Sequence, residues 1–122
     1  MIEHSLDTTD AILYLHPRAA LEASDFSELS QVVDPWILEH GGLKGLVIEA
    51  PAFPGWDTFG AMVAHFRFVK DHHRVIRKIA IVTDSPIGSV AELLASHFVS
   101  AEIKHFSSGS MPAAKAWIGA SA

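Results

Sequence analysis

Eight histidines and fourteen carboxylates are spread over a chain of 122 residues that holds no cysteine. Disulfides, thiolate metal sites and cysteine nucleophiles are therefore excluded. Glu49 stands inside the apolar run GLVIEA (45–50). A carboxylate taken out of water must be hydrogen bonded or protonated, and such groups are candidates for acid–base work. Strand alternation can equally turn Glu49 to an uncovered face. The segment AFPGWD (52–57) follows. Gly55 permits a turn that other residues resist. Pro51 and Pro54 stiffen the approach, and Trp56 can pack over strand ends or project into a pocket. Asp57 can accept backbone N–H groups as the cap of the next helix. These residues build either a rigid strand-to-helix turn or one wall of a pocket. Phe53, Gly55, Trp56, Asp57 and Thr58 are therefore candidate ligand- or partner-binding residues.

Two further polar segments, TDSPIGS (83–89) and HFSSGS (105–110), carry Thr83, Asp84, Ser85, Ser107, Ser108 and Ser110. Free N–H groups of following helices could hold an anion there, while Ser and Asp before a helix also serve as caps. Asp84 and Ser85 join the candidate site. Neither segment matches the phosphate-binding pattern GxxxxGK[ST]. His65, His72 and His73 raise a metal question, since His65 and His72 are seven residues apart and can share a helix face. No HExxH pattern occurs and no carboxylate completes a zinc set, so they are expected as surface histidines and no metal site is assigned. No G-x-S-x-G elbow is present. A Ser–His–Asp set can be drawn in any chain with eight histidines. No catalytic residue and no cofactor are assigned. The enzyme alternative is a small hydrolase or isomerase using Asp57, Glu49 or a nearby histidine.

The elements that must position these groups read from periodicity. Residues 2–7 and AILYLHP (11–17) are strands joined by the turn signal TTD (8–10), which predicts an antiparallel hairpin. Asp25 and Glu28 have capping-box spacing, and Phe26, Leu29, Val33, Trp36 and Ile37 repeat at helical spacing. Pro35 should kink that helix or restart it with Asp34 as a new cap. Gly41 and Gly42 supply the stop. GLVIEA is a buried strand. Asp57 starts a helix with Phe59, Met62, Val63, Phe66 and Val69 inward and Arg67, Lys70, Asp71 and Arg74 in water. KIAIVTD (78–84) is a second buried strand, and SPIGSVAELLASHF (85–98) is a turn and helix. AEIKHF (101–106) alternates like an exposed edge strand, and a last helix near 110–119 is anchored by Trp117 and Ile118. The order β-β-α-β-α-β-α-β-α predicts a single α/β domain over residues 1–122, with a mixed five-stranded sheet, parallel except for one antiparallel edge strand, and about four helices.

Net charge is −5, which argues against nucleic acid as a partner. Residues 1–60 hold ten acids against two bases, and residues 61–122 hold four acids against seven bases. Five of those bases, Arg67, Lys70, Arg74, Arg77 and Lys78, fall within twelve residues. They form a solvated helix face with its exit loop, or a patch for an anionic ligand, a membrane surface or the acidic half of a second copy. Arg67, Lys70 and Arg74 are the anionic-contact candidates. Phe66 and Phe68 fall on different faces of one helix, which makes a homodimer plausible. Glu3, His4 and Asp7 interrupt any signal peptide, and no run of about 18 apolar residues exists, so a cytoplasmic protein without a transmembrane segment is expected.

The order of elements resembles the STAS domain of bacterial anti-sigma-factor antagonists. The wording resembles the SpoIIAA-like group of small bacterial proteins, related in fold to lipid-binding CRAL-TRIO domains. The features that carry the likeness are a helix ending in EHGG (39–42), LVIEA followed by FPGWD (53–57), RKIAIVTD (77–84), and HF (105–106) followed by AAKAWI (113–118). The resemblance implies a STAS-like fold and a non-enzymatic binding or regulatory module. Its partner would be a protein or a small amphipathic, lipid-like or anionic ligand, met at the edge formed by residues 52–58, 84–88 and 107–110. In the antagonists a phosphorylated serine at the start of the second helix switches partner binding. The matching region here, GWDTFG (55–60), has Thr58 and a neighbouring Asp57 in place of that serine.

Overall fold

Strands β1 (Ile2–Asp7) and β2 (Ile12–Pro17) form the expected antiparallel hairpin. Asp7 shapes its turn, its Oδ1 accepting the N–H groups of Thr9 at 3.0 Å and Asp10 at 3.1 Å. The computed structural model describes residues 2–50, 59–84 and 102–120. Helix α1 (Ala23–His40) leads to β3 (Leu43–Glu49), and α2 (Phe59–His72) leads through a short 3-10 turn, His73–Val75, to β4 (Ile76–Val82). Strand β5 (Glu102–Phe106) precedes α3 (Met111–Gly119). The strands lie side by side in chain order, β1-β2-β3-β4-β5, and every pair after the first is parallel. The mixed five-stranded α/β sheet with one antiparallel edge is thus as expected. The predicted helix over 85–98 lies outside the described residues, as does the Asp57 cap.

Parity along the strands divides the core into two layers. On one face Leu13, Leu15, Leu46 and Ile79 meet Phe26, Leu29 and Val33 of α1 and Phe68 of α2. On the other, Ile12, Val47, Ala80 and Val82 meet Ala114 and Ile118 of α3. Burying a residue of this size contributes about 1.5–3 kcal/mol, so both layers are needed to hold the sheet. At Gly45 the approach is close enough that an added Cβ would stand 2.4 Å from Ile118 Cγ2. Lys78 lies buried under the far end of α3. Its ammonium donates to the carbonyls of Trp117 at 2.9 Å and Ala120 at 3.1 Å, where a helix leaves its last carbonyls unsatisfied and a cation is favoured. The reading of five clustered bases as one surface patch is corrected here, because Lys78 holds α3 on the opposite face of the sheet from α2.

Three local expectations are also corrected. The amino-terminal box of α1 is built by Glu22 and Asp25 instead of Asp25 and Glu28, with the Glu22 N–H donating to Asp25 Oδ2 at 2.8 Å. Pro35 does not restart α1, which runs unbroken to the left-handed Gly41, φ 89°. Core contacts on both sides of Pro35, from Val33 to Trp36 and Ile37, hold the two halves as one helix. Asp34, freed from capping, reaches α2 instead. Finally, His65 and His72 are not surface residues. Their seven-residue spacing turns both toward α1: His65 stacks on Phe26 of α1 at 4.9 Å, and His72, stacked on Phe68 of its own helix at 4.1 Å, reaches Asp34 of α1. Burial pulls the His65 imidazole down to about 4. His72 Nδ1 faces the Phe68 carbonyl at 2.7 Å and Nε2 faces Asp34 Oδ1 at 2.6 Å. Both partners accept, so the pair is fully satisfied when both ring nitrogens carry a proton.

Candidate functional site

Parallel strands β2, β3, β4 and β5 all end at one edge, the edge at which ligands gather in open α/β sheets. Backbone bonds extend the sheet slightly past the strand ends. The Ala50 N–H donates to the Val82 carbonyl at 3.0 Å, and the Thr83 N–H donates to the Phe106 carbonyl at 3.0 Å. This carries Asp84 to the side of the turn 107–110. Its Oδ1 accepts the Ser108 N–H at 2.8 Å, tying the exit of β4 to the exit of β5. His105 Nε2–H donates to the Thr83 carbonyl at 2.7 Å and fixes the same corner from below. The turn closes on itself through Ser110 N–H to the Ser107 carbonyl at 3.1 Å, with Gly109 at φ 87°. Ser110 flanks the start of α3, yet its hydroxyl lies 3.0 Å from the Ser107 hydroxyl and makes no cap bond to the helix.

Glu49 resolves the choice posed by its sequence. It is half-buried at the end of β3 and points to the α3 side of the sheet, where its Oε1 meets His16 Nδ1 at 3.1 Å. Residues Leu15 and Ile48 are in register, so His16 and Glu49 are the next matched pair on adjacent parallel strands. Tyr14 shares their face two residues earlier. Burial, then the nearby Asp7 and Asp10 carboxylates, push its phenol above the usual range. Lys115 of α3 sits over the Tyr14 ring, 5.3 Å from its centre.

The expected site is thus brought together in part. Asp84 and the 107–110 turn share one edge, as read from the sequence. Phe53, Gly55, Trp56, Asp57, Thr58 and Ser85 lie outside the described residues. Arg67 and Arg74 are exposed, with Arg74 in the turn that enters β4 and so at the opposite, amino-terminal edge. The Lys70 side chain lies outside the described set. Phe68, one of the two phenylalanines considered for a dimer face, is buried against Phe26 with ring centres 6.0 Å apart. Among the described residues no group of three or more histidines and carboxylates could hold a metal ion, and no helix is long and apolar enough to cross a membrane. His16 was missed by sequence reasoning. No local signal singled it out, because its partnership with Glu49 comes from the register of β2 on β3.

A model of the SpoIIAA-like family matches residues 12–119, all but the first strand and the last few residues. In three dimensions the chain is similar to the crystal structure of an uncharacterized protein from Shewanella loihica PV-4, of the DUF3478 family, with a SpoIIAA-like fold. The TM-score is 0.72 at 17% identity, over 97% of this chain and 92% of that one. No curated protein matches the chain.

Proposed function

Because the chain belongs to the SpoIIAA-like family, we propose that it is a non-enzymatic binding or regulatory module whose working surface is the carboxyl edge of the sheet. One observation carries this reading. Four of the polar side chains described on the β4 and β5 exits are engaged within the frame itself: Asp84 with the Ser108 N–H, His105 with the Thr83 carbonyl, and Ser107 with Ser110. That arrangement makes a rigid, hydroxyl-rimmed frame instead of a free nucleophile beside a base. Asp84 is a frame residue in this reading. Phe53, Gly55, Trp56, Asp57, Thr58 and Ser85 supply the contacts with a protein partner or with a small amphipathic or anionic ligand, and Arg67, Lys70 and Arg74 serve as a separate anionic-contact surface.

Native mass spectrometry of protein purified from cells tests the proposal. A retained small molecule, or a partner at fixed stoichiometry, is expected, and Trp56→Ala should lose it while circular dichroism stays unchanged. If nothing is retained, yet the protein turns over an ester or phosphate panel in a manner abolished by Asp57→Asn, the chain is an enzyme and the proposal fails.

A further inference from the structure

On the α3 side of the sheet, α3 packs over β3, β4 and β5 and reaches Ile12 and Tyr14 of β2, while Glu3 and Ser5 of β1 are exposed. At the carboxyl end of this face stand His16 of β2 and Glu49 of β3, with Tyr14 two residues before His16. Three features of the group go together. First, the Glu49 carboxylate can only accept, so at 3.1 Å it fixes the proton of a neutral His16 imidazole on Nδ1. That leaves the Nε2 lone pair as an acceptor, the arrangement by which a carboxylate orients a working imidazole. Second, the two side chains are 29% and 33% exposed, sheltered enough to stay paired and open enough to meet a small molecule. Third, both stand on paired strands of a sheet, which places them more rigidly than a loop would. The Tyr14 ring lies one side-chain step along the same strand face, roughly 7 Å away. Lys115 brings an ammonium group over that ring, while Asp7 and Asp10 approach Tyr14 from the hairpin turn.

We infer that this shelf is a binding site for a small hydroxy acid. The ligand hydroxyl donates to His16 Nε2, its carboxylate pairs with Lys115, and its carbon skeleton lies across Tyr14. Glu49 is a positioning residue that sets the tautomer and does not touch the ligand. The inference rests on the reading of the carboxyl edge as a binding surface and assigns that surface a chemical class.

The probe is lactate, titrated at pH 8 and followed by the ring signals of His16 and Tyr14 in NMR spectra, with propionate as the hydroxyl-free control. In the free protein the His16 ring should show the Nδ1–H tautomer, which Glu49→Gln should convert toward the Nε2–H form that prevails in water. Lactate should bind with saturation. Propionate to the wild type, or lactate to His16→Phe, should bind roughly three- to tenfold more weakly, the range set by one hydrogen bond. An Nε2–H tautomer in the wild type, absence of lactate binding, or equal binding of lactate and propionate overturns the site. If His16→Phe retains the same molecule as the wild type in native mass spectra, this site is wrong while the binding-module reading stands. If neither protein retains a ligand or partner, the broader reading itself has failed.

Discussion

The contact between Gly45 and Ile118 offers the sharpest test of how the sheet is held. A methyl group placed on Gly45 would lie 2.4 Å from Ile118 Cγ2, 2.9 Å from Cδ1 and 3.2 Å from Cγ1. Ordinary contact between such atoms begins near 3.4 Å, so Gly45→Ala demands a shift of about 1 Å. The displaced group is no flexible surface chain, because Ile118 is 1% exposed and wedged among Ile12, Val47, Ala80 and Val82. Overpacking of this kind costs about 1–3 kcal/mol. For a domain of this size that corresponds to a fall in Tm of roughly 3–15 °C. Ile118→Ala alone should cost more, about 2–5 kcal/mol, because it opens a cavity under α3. The two changes should not add. Alanine at position 45 would fill part of the space vacated by Ile118, so the double variant should be about 1–2 kcal/mol more stable than the sum of the singles predicts. Urea denaturation read by tryptophan fluorescence and circular dichroism gives all three values. Additivity within about 0.5 kcal/mol, or a Gly45→Ala protein as stable as the wild type, would refute close packing of α3 on β3 at this point.

Three other consequences can be measured with the same equipment. His65 is held near 4 by burial in the fold against 6.5 when exposed, so the unfolded chain binds the extra proton between those values. Stability should be complete above about pH 6.5 and fall by up to ~3 kcal/mol as pH drops toward 4, and His65→Phe should flatten that slope in urea titrations across the window. Lys78→Met removes the ammonium from the last carbonyls of α3 and should cost about 1–3 kcal/mol, with hydrogen exchange speeding up in residues 114–120 and unchanged in α1. For the His72–Asp34 contact, Asp34→Ala and His72→Phe should each destabilise by about 1–3 kcal/mol, and a double-mutant cycle should return a coupling of at least about 0.5 kcal/mol; zero coupling would mean that the two side chains do not meet.

The order of elements and the parallel sheet were legible because each strand is a short apolar run and each connection a longer periodic one. TTD between two runs marks a hairpin, and Gly41 and Gly42 end a helix, through chemistry that acts within a few residues. What failed was tertiary. Lys78 sits in a run of bases, and nothing local says that its neighbour in space is the end of a helix almost forty residues later. Of the two outcomes the local rule allows Pro35, a kink or a restart, the restart does not occur, and packing on both sides holds one helix. His65 and His72 were rightly placed on one helix face, but whether a face meets water or another helix depends on what lies opposite, and that was α1. At the site, Asp84 and the turn 107–110 could be placed on one edge from strand ends alone. His16 could not be singled out until register set it beside Glu49.

The strands are arranged in the order in which they are made. No strand of the sheet has to be inserted between two that have already paired, so each can add to a standing edge, although each parallel pairing joins residues distant in sequence, the kind of contact that slows folding. The helix on the second face breaks this pattern. Val47, Ala80 and Val82 are each fully shielded in the finished molecule, and the element that shields them, α3, is the last of the described elements to be made. Until α3 is made, therefore, Val47, Ala80 and Val82 lack the cover that Ala114 and Ile118 provide, and Gly45 lacks its contact with Ile118. A nascent chain at that stage is the form most exposed to aggregation. Seating Ile118 on Gly45 is in this sense the step that completes the protein as well as a contact within it.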